Sequence, residues 1–100
     1  MNSVFRVEKT KDFTVMSNHH LRNKNLTLKA KGLLSLILSL PDCWDYSVRG
    51  LAKICKENKD TICNIINELI SEGYIIREQE RGDNGKMKKS VYIIYENPPL

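Results

Sequence analysis

The chain has 100 residues, 41% of them apolar, and sixteen Lys and Arg against twelve Asp and Glu leave a net charge of +4. One hundred residues set a single domain and exclude most large cofactor-binding enzyme folds, while this apolar fraction excludes a disordered tail or a fold that depends on disulfides. The pI near 9.0 leans toward a polyanionic partner, and an aromatic content of 7% stocks a single-strand stacking platform poorly.

Cys43, Cys55 and Cys63 form no CxxC pair and have no histidine nearby in sequence. Neither a zinc site nor a secreted disulfide framework fits, so free thiols in a reduced, cytoplasmic setting are expected. The chain carries no P-loop, dinucleotide fingerprint or nucleophile elbow. The expectation is therefore no enzyme, no cofactor and no metal. The apolar run Leu33–Leu40 is broken by Ser35 and Ser39 and falls short of the roughly 20 residues of a spanning helix. It reads as a buried helix, with no membrane partner.

In chain order, residues 3–8 and 13–16 are short β-type runs around the polar Lys9–Asp12 turn. They read as a small hairpin or as two extended arms. Residues 17–22 fit one helical turn capped by Ser17 or Asn18, with His19 and His20 at the surface. Residues 1–26 together make an N-terminal arm. Thr27 then caps a first helix that Pro41 ends. Ala30, Leu33, Leu34 and Ile37 follow the i, i+3, i+4, i+7 rule; Leu36, Leu38 and Leu40 widen the apolar face almost all round. Such a helix is expected to be central, covered by neighbours on several sides. Trp44 reads as a packing anchor.

A second helix starts at the cap Ser47, with Tyr46 and Leu51 as a hydrophobic staple. Val48, Leu51, Ala52 and Cys55 form its apolar stripe, and Arg49, Lys53 and Lys56 face away. After the short link Lys56-Glu57-Asn58, Asn58 caps a third helix. Ile62, Ile65, Ile66 and Leu69 form its stripe, Asp60 suits the helix dipole, and Gly73 stops it. The remainder is β. Tyr74–Glu80 and Ser90–Tyr95 flank Asn84-Gly85, the pair a type I′ hairpin turn prefers. Pro98-Pro99 breaks further structure and reads as the start of a linker over 97–100, the chain being the front part of a longer protein.

A helix, a tightly linked helix pair, a glycine stop and an immediate hairpin together spell a winged helix-turn-helix over residues 27–96. The fold class is mainly α with a small β-hairpin: a three-helix core, a two-stranded wing and the extra β-type arm. The second helix of such a pair fits the major groove of B-DNA. Its outward residues are then Lys59, Asp60, Cys63, Asn64, Asn67, Glu68 and Ser71. Asn64 and Asn67 suit bidentate pairing with an adenine edge. Lys59 and Thr61, at the positive end of the helix, suit phosphates or bases, and Cys63 joins the candidate recognition residues. Arg49 and Lys53 on the second helix, with Arg81, Lys86, Lys88 and Lys89 on the wing, suit backbone phosphates.

The stretch LKAKGLLSLILSLPDCWDYSVRGLAKICKENKDTICNIINELISEGYIIREQERGDNGK, with YIIYENP after it, resembles the winged-helix N-terminal domains of replication proteins from phages and mobile elements of Gram-positive bacteria. These are replisome organisers and relatives in style of the DnaD-like primosomal proteins. The lead-in VFRVEKTKDFTVMSNHHLRNKNLTL is similar too. The resemblance implies double-stranded DNA binding, a role in replication initiation or helicase loading, and a further C-terminal region. Other replication proteins and a homodimer through the N-terminal arm are the additional partners expected.

Charge is unevenly spread. Residues 1–31 carry +5, the second and third helices over 47–72 carry zero, and the wing over 73–90 carries +2. This fits salt-sensitive backbone binding, and it keeps two alternatives open: a transcriptional regulator with the same fold, and a winged helix used for self-association or protein docking.

Overall fold

The computed structural model describes residues 3–4, 6–7, 11–41, 47–80 and 89–99, with only the backbone of 79–80 and 89–90. Its elements run α1 (Leu28–Ser39), α2 (Val48–Ile54), α3 (Lys59–Ser71), β1 (Ile75–Glu80) and β2 (Lys89–Ile94). Residues 42–46, with Cys43, Trp44 and the Tyr46 half of the staple, lie outside the described residues, as does the Asn84-Gly85 turn.

Each helix begins where a side chain satisfies its first amides. Thr27 accepts from the Ala30 amide, Ser47 from Gly50 and Asn58 from Thr61. α3 ends in a Schellman closure: the Gly73 amide donates to the Ile70 carbonyl at 3.1 Å and the Tyr74 amide to Leu69 at 3.0 Å. Gly73 makes the turn at φ +87°, in the left-handed region that favours glycine. The chain passes directly into β1, which pairs antiparallel with β2 from Ile75 opposite Ile94 to Glu80 opposite Lys89. The Tyr95 amide donates to the Tyr74 carbonyl at 2.8 Å and carries that register one pair further.

The core is a single cluster. α1 contributes Ala30, Leu33, Leu34 and Ile37, α2 contributes Leu51, and α3 contributes Ile62, Ile65, Ile66 and Leu69; Leu26, Tyr74 and Ile75 close it. Leu36, Leu38 and Leu40 are only partly buried against it. α1 is thus buried along one broad face, and the leucines that widen its apolar surface are only partly covered. Each large side chain fully withdrawn from water contributes roughly 1.5–3 kcal/mol.

Two expectations about the N-terminal region change. The pair His19-His20 is not a surface pair: His20 is fully buried. Its Nε2 lies 2.8 Å from Ser35 Oγ. The Ser35 hydroxyl donates to the Lys31 carbonyl, so Nε2–H is the donor to Ser35 and the ring is the Nε2–H tautomer. His19 Nδ1 shares a 2.7 Å hydrogen bond with the Tyr74 hydroxyl, to which Asn23 Nδ2 also donates at 3.1 Å. Ser17 accepts from the His19 amide and donates to Asn97. Residues 17–26 therefore belong to the folded body, seated on α1 and on the start of the wing. Residues 13–16 and the described part of 3–8 form no strand. Val4, Val7, Phe13 and Val15 there are 76–90% exposed, so the hairpin is not formed among the described residues.

Candidate nucleic-acid interface

α3 divides cleanly into two faces. Ile62, Ile65, Ile66 and Leu69 are buried. Lys59, Asp60, Cys63, Asn64, Asn67 and Ser71 are exposed, and Thr61 is half-buried. The 3.6-residue period puts the exposed amides Asn64 and Asn67, three apart, on neighbouring positions of one surface. The N-terminal end carries Lys59 at its first position and is capped by Asn58, whose Oδ1 accepts the Thr61 amide at 2.9 Å. Helix dipole and lysine together make this the positive end of α3, with Asp60 offsetting part of that charge.

Glu68 departs from the expected outward set. It is half-buried, and both carboxylate oxygens are engaged by Thr27. An open groove beside it runs between the start of α1 and the outer side of α3, lined by Leu28, Lys29, Thr61, Asn64 and Ile65. Leu28 stands 84% exposed at its rim.

Arg49 and Lys53 are exposed on α2, so the second helix does turn these cations to solvent. Arg81, Lys86 and Lys88 lie outside the described residues, and Lys89 opens β2 with only its backbone described. Arg77, two strand positions beyond the core residue Ile75, sits with its guanidinium 6.0 Å from the centre of the Tyr92 ring across the ladder.

Cys55 and Cys63 are free thiols, the first half-buried and the second exposed on α3. Burial, and after it the Glu57 carboxylate, push the Cys55 thiol up from its ordinary pKa. Among the described residues no group of three or more His, Cys, Asp or Glu could hold a metal ion. Among the same residues no helix is long and apolar enough to cross a membrane.

Three helices, the last pair joined by a four-residue link over 55–58, and an antiparallel two-stranded hairpin directly after them define a winged helix-turn-helix. The family model described as a helix-turn-helix domain matches residues 24–75, just over half of the chain, and the chain belongs to that family. Its activity is DNA binding, and double-stranded DNA is its partner. The curated proteins and the solved structures contain no significant match.

Proposed function

We propose that this domain reads double-stranded DNA with α3 in the major groove and the wing on the backbone, in replication initiation or replisome organisation of a phage or mobile element. The two-faced character of α3 carries the first half: four buried apolar residues anchor it while Lys59, Cys63, Asn64 and Asn67 stand free of the core. Asn64 and Asn67 offer the paired donor and acceptor that an adenine edge requires. Lys59 and Thr61 engage phosphates or bases at the positive helix end. Arg49 and Lys53 from α2, with Arg81, Lys86, Lys88 and Lys89 from the wing, neutralise phosphates. The replication role is supported by the resemblance of the quoted stretch to replisome-organiser domains.

The test is fluorescence anisotropy over a salt series, with a duplex selected from a random library and a scrambled one. Changing Lys86, Lys88 and Lys89 together to Ala weakens both duplexes alike and lowers the salt slope by about 0.9 per lost phosphate contact. Asn64→Ala costs roughly 1–3 kcal/mol on the preferred duplex only. No binding to any duplex at about 50 mM salt, where phosphate contacts are strongest, refutes the DNA reading. Replication and transcription separate in cells: a replication role makes maintenance of a plasmid bearing the preferred site depend on the protein, whereas a regulator alters only a neighbouring promoter.

A second role, self-association through the N-terminal arm, is favoured by the exposure of Val4, Val7, Phe13 and Val15. Exposed β-type segments offer edges that a second copy can pair with. Sedimentation then shows a concentration-dependent dimer that is lost on removing residues 1–16; one unchanged monomer in both forms refutes it.

A further inference from the structure

Glu68 lies one helical turn beyond Asn64, on a helix otherwise free to present its polar side. Its carboxylate reaches away from that side to α1. Oε2 accepts the Thr27 backbone N–H at 2.8 Å, and Oε1 accepts the Thr27 hydroxyl at 2.8 Å. Thr27 is itself the N-cap of α1, its oxygen accepting the Ala30 amide at 3.2 Å. In a self-contained capping box the acceptor for the N-cap amide is a Glu or Gln at the third helical position. Here that position is Ala30, and the acceptor comes from another helix, 41 residues along the chain.

We propose that Glu68 is a positioning residue for DNA recognition: its two-point clasp on Thr27 fixes the angle at which α1 carries α3. The proposal rests on α3 being the reading helix. The buried contacts between the two helices are apolar, among them Ala30, Leu33 and Leu34 from α1 and Ile62, Ile65 and Leu69 from α3. Apolar burial is non-directional, and ridges in grooves leave a spread of crossing angles. A pair of charge-assisted hydrogen bonds is directional and short.

The lever arm decides how much this matters. Lys59 lies nine residues before Glu68, or about 13 Å along the helix at 1.5 Å per residue. A tilt of about 10° pivoting at Glu68 displaces that end by about 2 Å, well beyond the roughly 0.5 Å tolerance of a working contact. The clasp has a second consequence. It seats the Glu68 charge at the positive start of α1, away from where it opposes a phosphate.

The test compares E68A, E68Q, T27V and T27S with the wild-type chain. Folding is verified by circular dichroism, and anisotropy is run well below each variant's own melting midpoint. The readout is the ratio of affinities for the selected and scrambled duplexes. T27S keeps both donors and keeps the ratio. E68A lowers it about tenfold, the size of one lost base contact, while T27V, which keeps the backbone N–H on Glu68, lowers it less; E68A leaves scrambled binding equal or stronger because a negative charge is gone. E68Q retains one acceptor and falls between, so it carries the comparison even where E68A is too unstable to assay. A role confined to stability lowers the melting midpoint and leaves the ratio untouched; folded E68A and T27V with the wild-type ratio overturn the proposal. A wild type that prefers no duplex overturns α3 as the reading helix and this role with it.

Discussion

Lowering the pH should loosen this fold through His20, and the structure gives both the sign and a ceiling for the effect. The ring is fully buried, Nε2 donates to Ser35 at 2.8 Å, and Nδ1 has no hydrogen-bond partner. Protonation places a second N–H at Nδ1, where no acceptor waits. Burial is the main force lowering the pKa of His20 below its ordinary 6.5; the charges of His19 and Lys31 act the same way, and Glu96 opposes them. The unfolded chain therefore binds this proton before the native one does. The stabilisation is complete above pH 6.5 and is lost as pH falls from there toward the native pKa. Its slope cannot exceed about 1.4 kcal/mol per pH unit for one proton. Urea unfolding by circular dichroism at about pH 7.5, 6.5 and 5.5 measures it, in a window above the ordinary carboxylate range. H20L keeps the site filled, leaves the Ser35 hydroxyl on the Lys31 carbonyl and removes the titration. The wild type should lose up to about 1.4 kcal/mol more than H20L between about pH 7.5 and 5.5. Equal losses in the two proteins would show that His20 does not carry the proton linkage.

Other expectations follow from single positions. Leu34→Ala, at a site with no exposure, should cost about 2–5 kcal/mol in urea unfolding. Gly73→Ala should cost more than about 1 kcal/mol in the same assay, because φ is +87° and the new Cβ meets Pro98 Cβ at 3.3 Å; Gly73→Asn should be milder. Asn58→Ala removes the bond to the Thr61 amide and should cost about 0.5–2 kcal/mol, with Asn58→Ser close to neutral. In peptide mapping after brief maleimide treatment, exposed Cys63 should be labelled before Cys55, whose thiolate is scarcer because burial raises its pKa.

The local half of this fold was legible because local chemistry sets it. Thr27, Ser47 and Asn58 are residues whose side chains satisfy a first-turn amide, and all three cap where expected. Gly73 stops α3 for the reason glycine usually does. The strands lie within a residue of their expected bounds, β1 beginning at Ile75 instead of Tyr74 and β2 at Lys89 instead of Ser90. The non-local half was not legible in the same way. Nothing in the run Ser17–Arg22 says that His20 is buried, because its partner Ser35 is fifteen residues away on another element. β-type composition at 3–8 and 13–16 marks side chains that suit a sheet, and a sheet needs a partner strand, which no described residue supplies. Glu68 did leave a trace. A threonine cap with alanine at the third helical position lacks the acceptor for its own amide, and that deficit points to a carboxylate arriving from elsewhere.

The same clasp sharpens what the charge distribution asks of the domain. The second and third helices sum to zero over 47–72, so an α3 that enters the major groove, as proposed, brings little net attraction of its own. Engaging Glu68 at the start of α1 takes one of the opposing charges off the outer side of α3. What remains exposed there is Lys59 against Asp60, with the neutral Cys63, Asn64 and Asn67. Neutral amides discriminate base edges but release few counterions. In the proposed binding mode, long-range attraction must then come from the +5 of residues 1–31 and the +2 of the wing. Affinity and selectivity thus reside on different segments. If α3 reads the bases as proposed, salt should weaken the first while leaving the second, the ratio of preferred to scrambled binding, nearly constant.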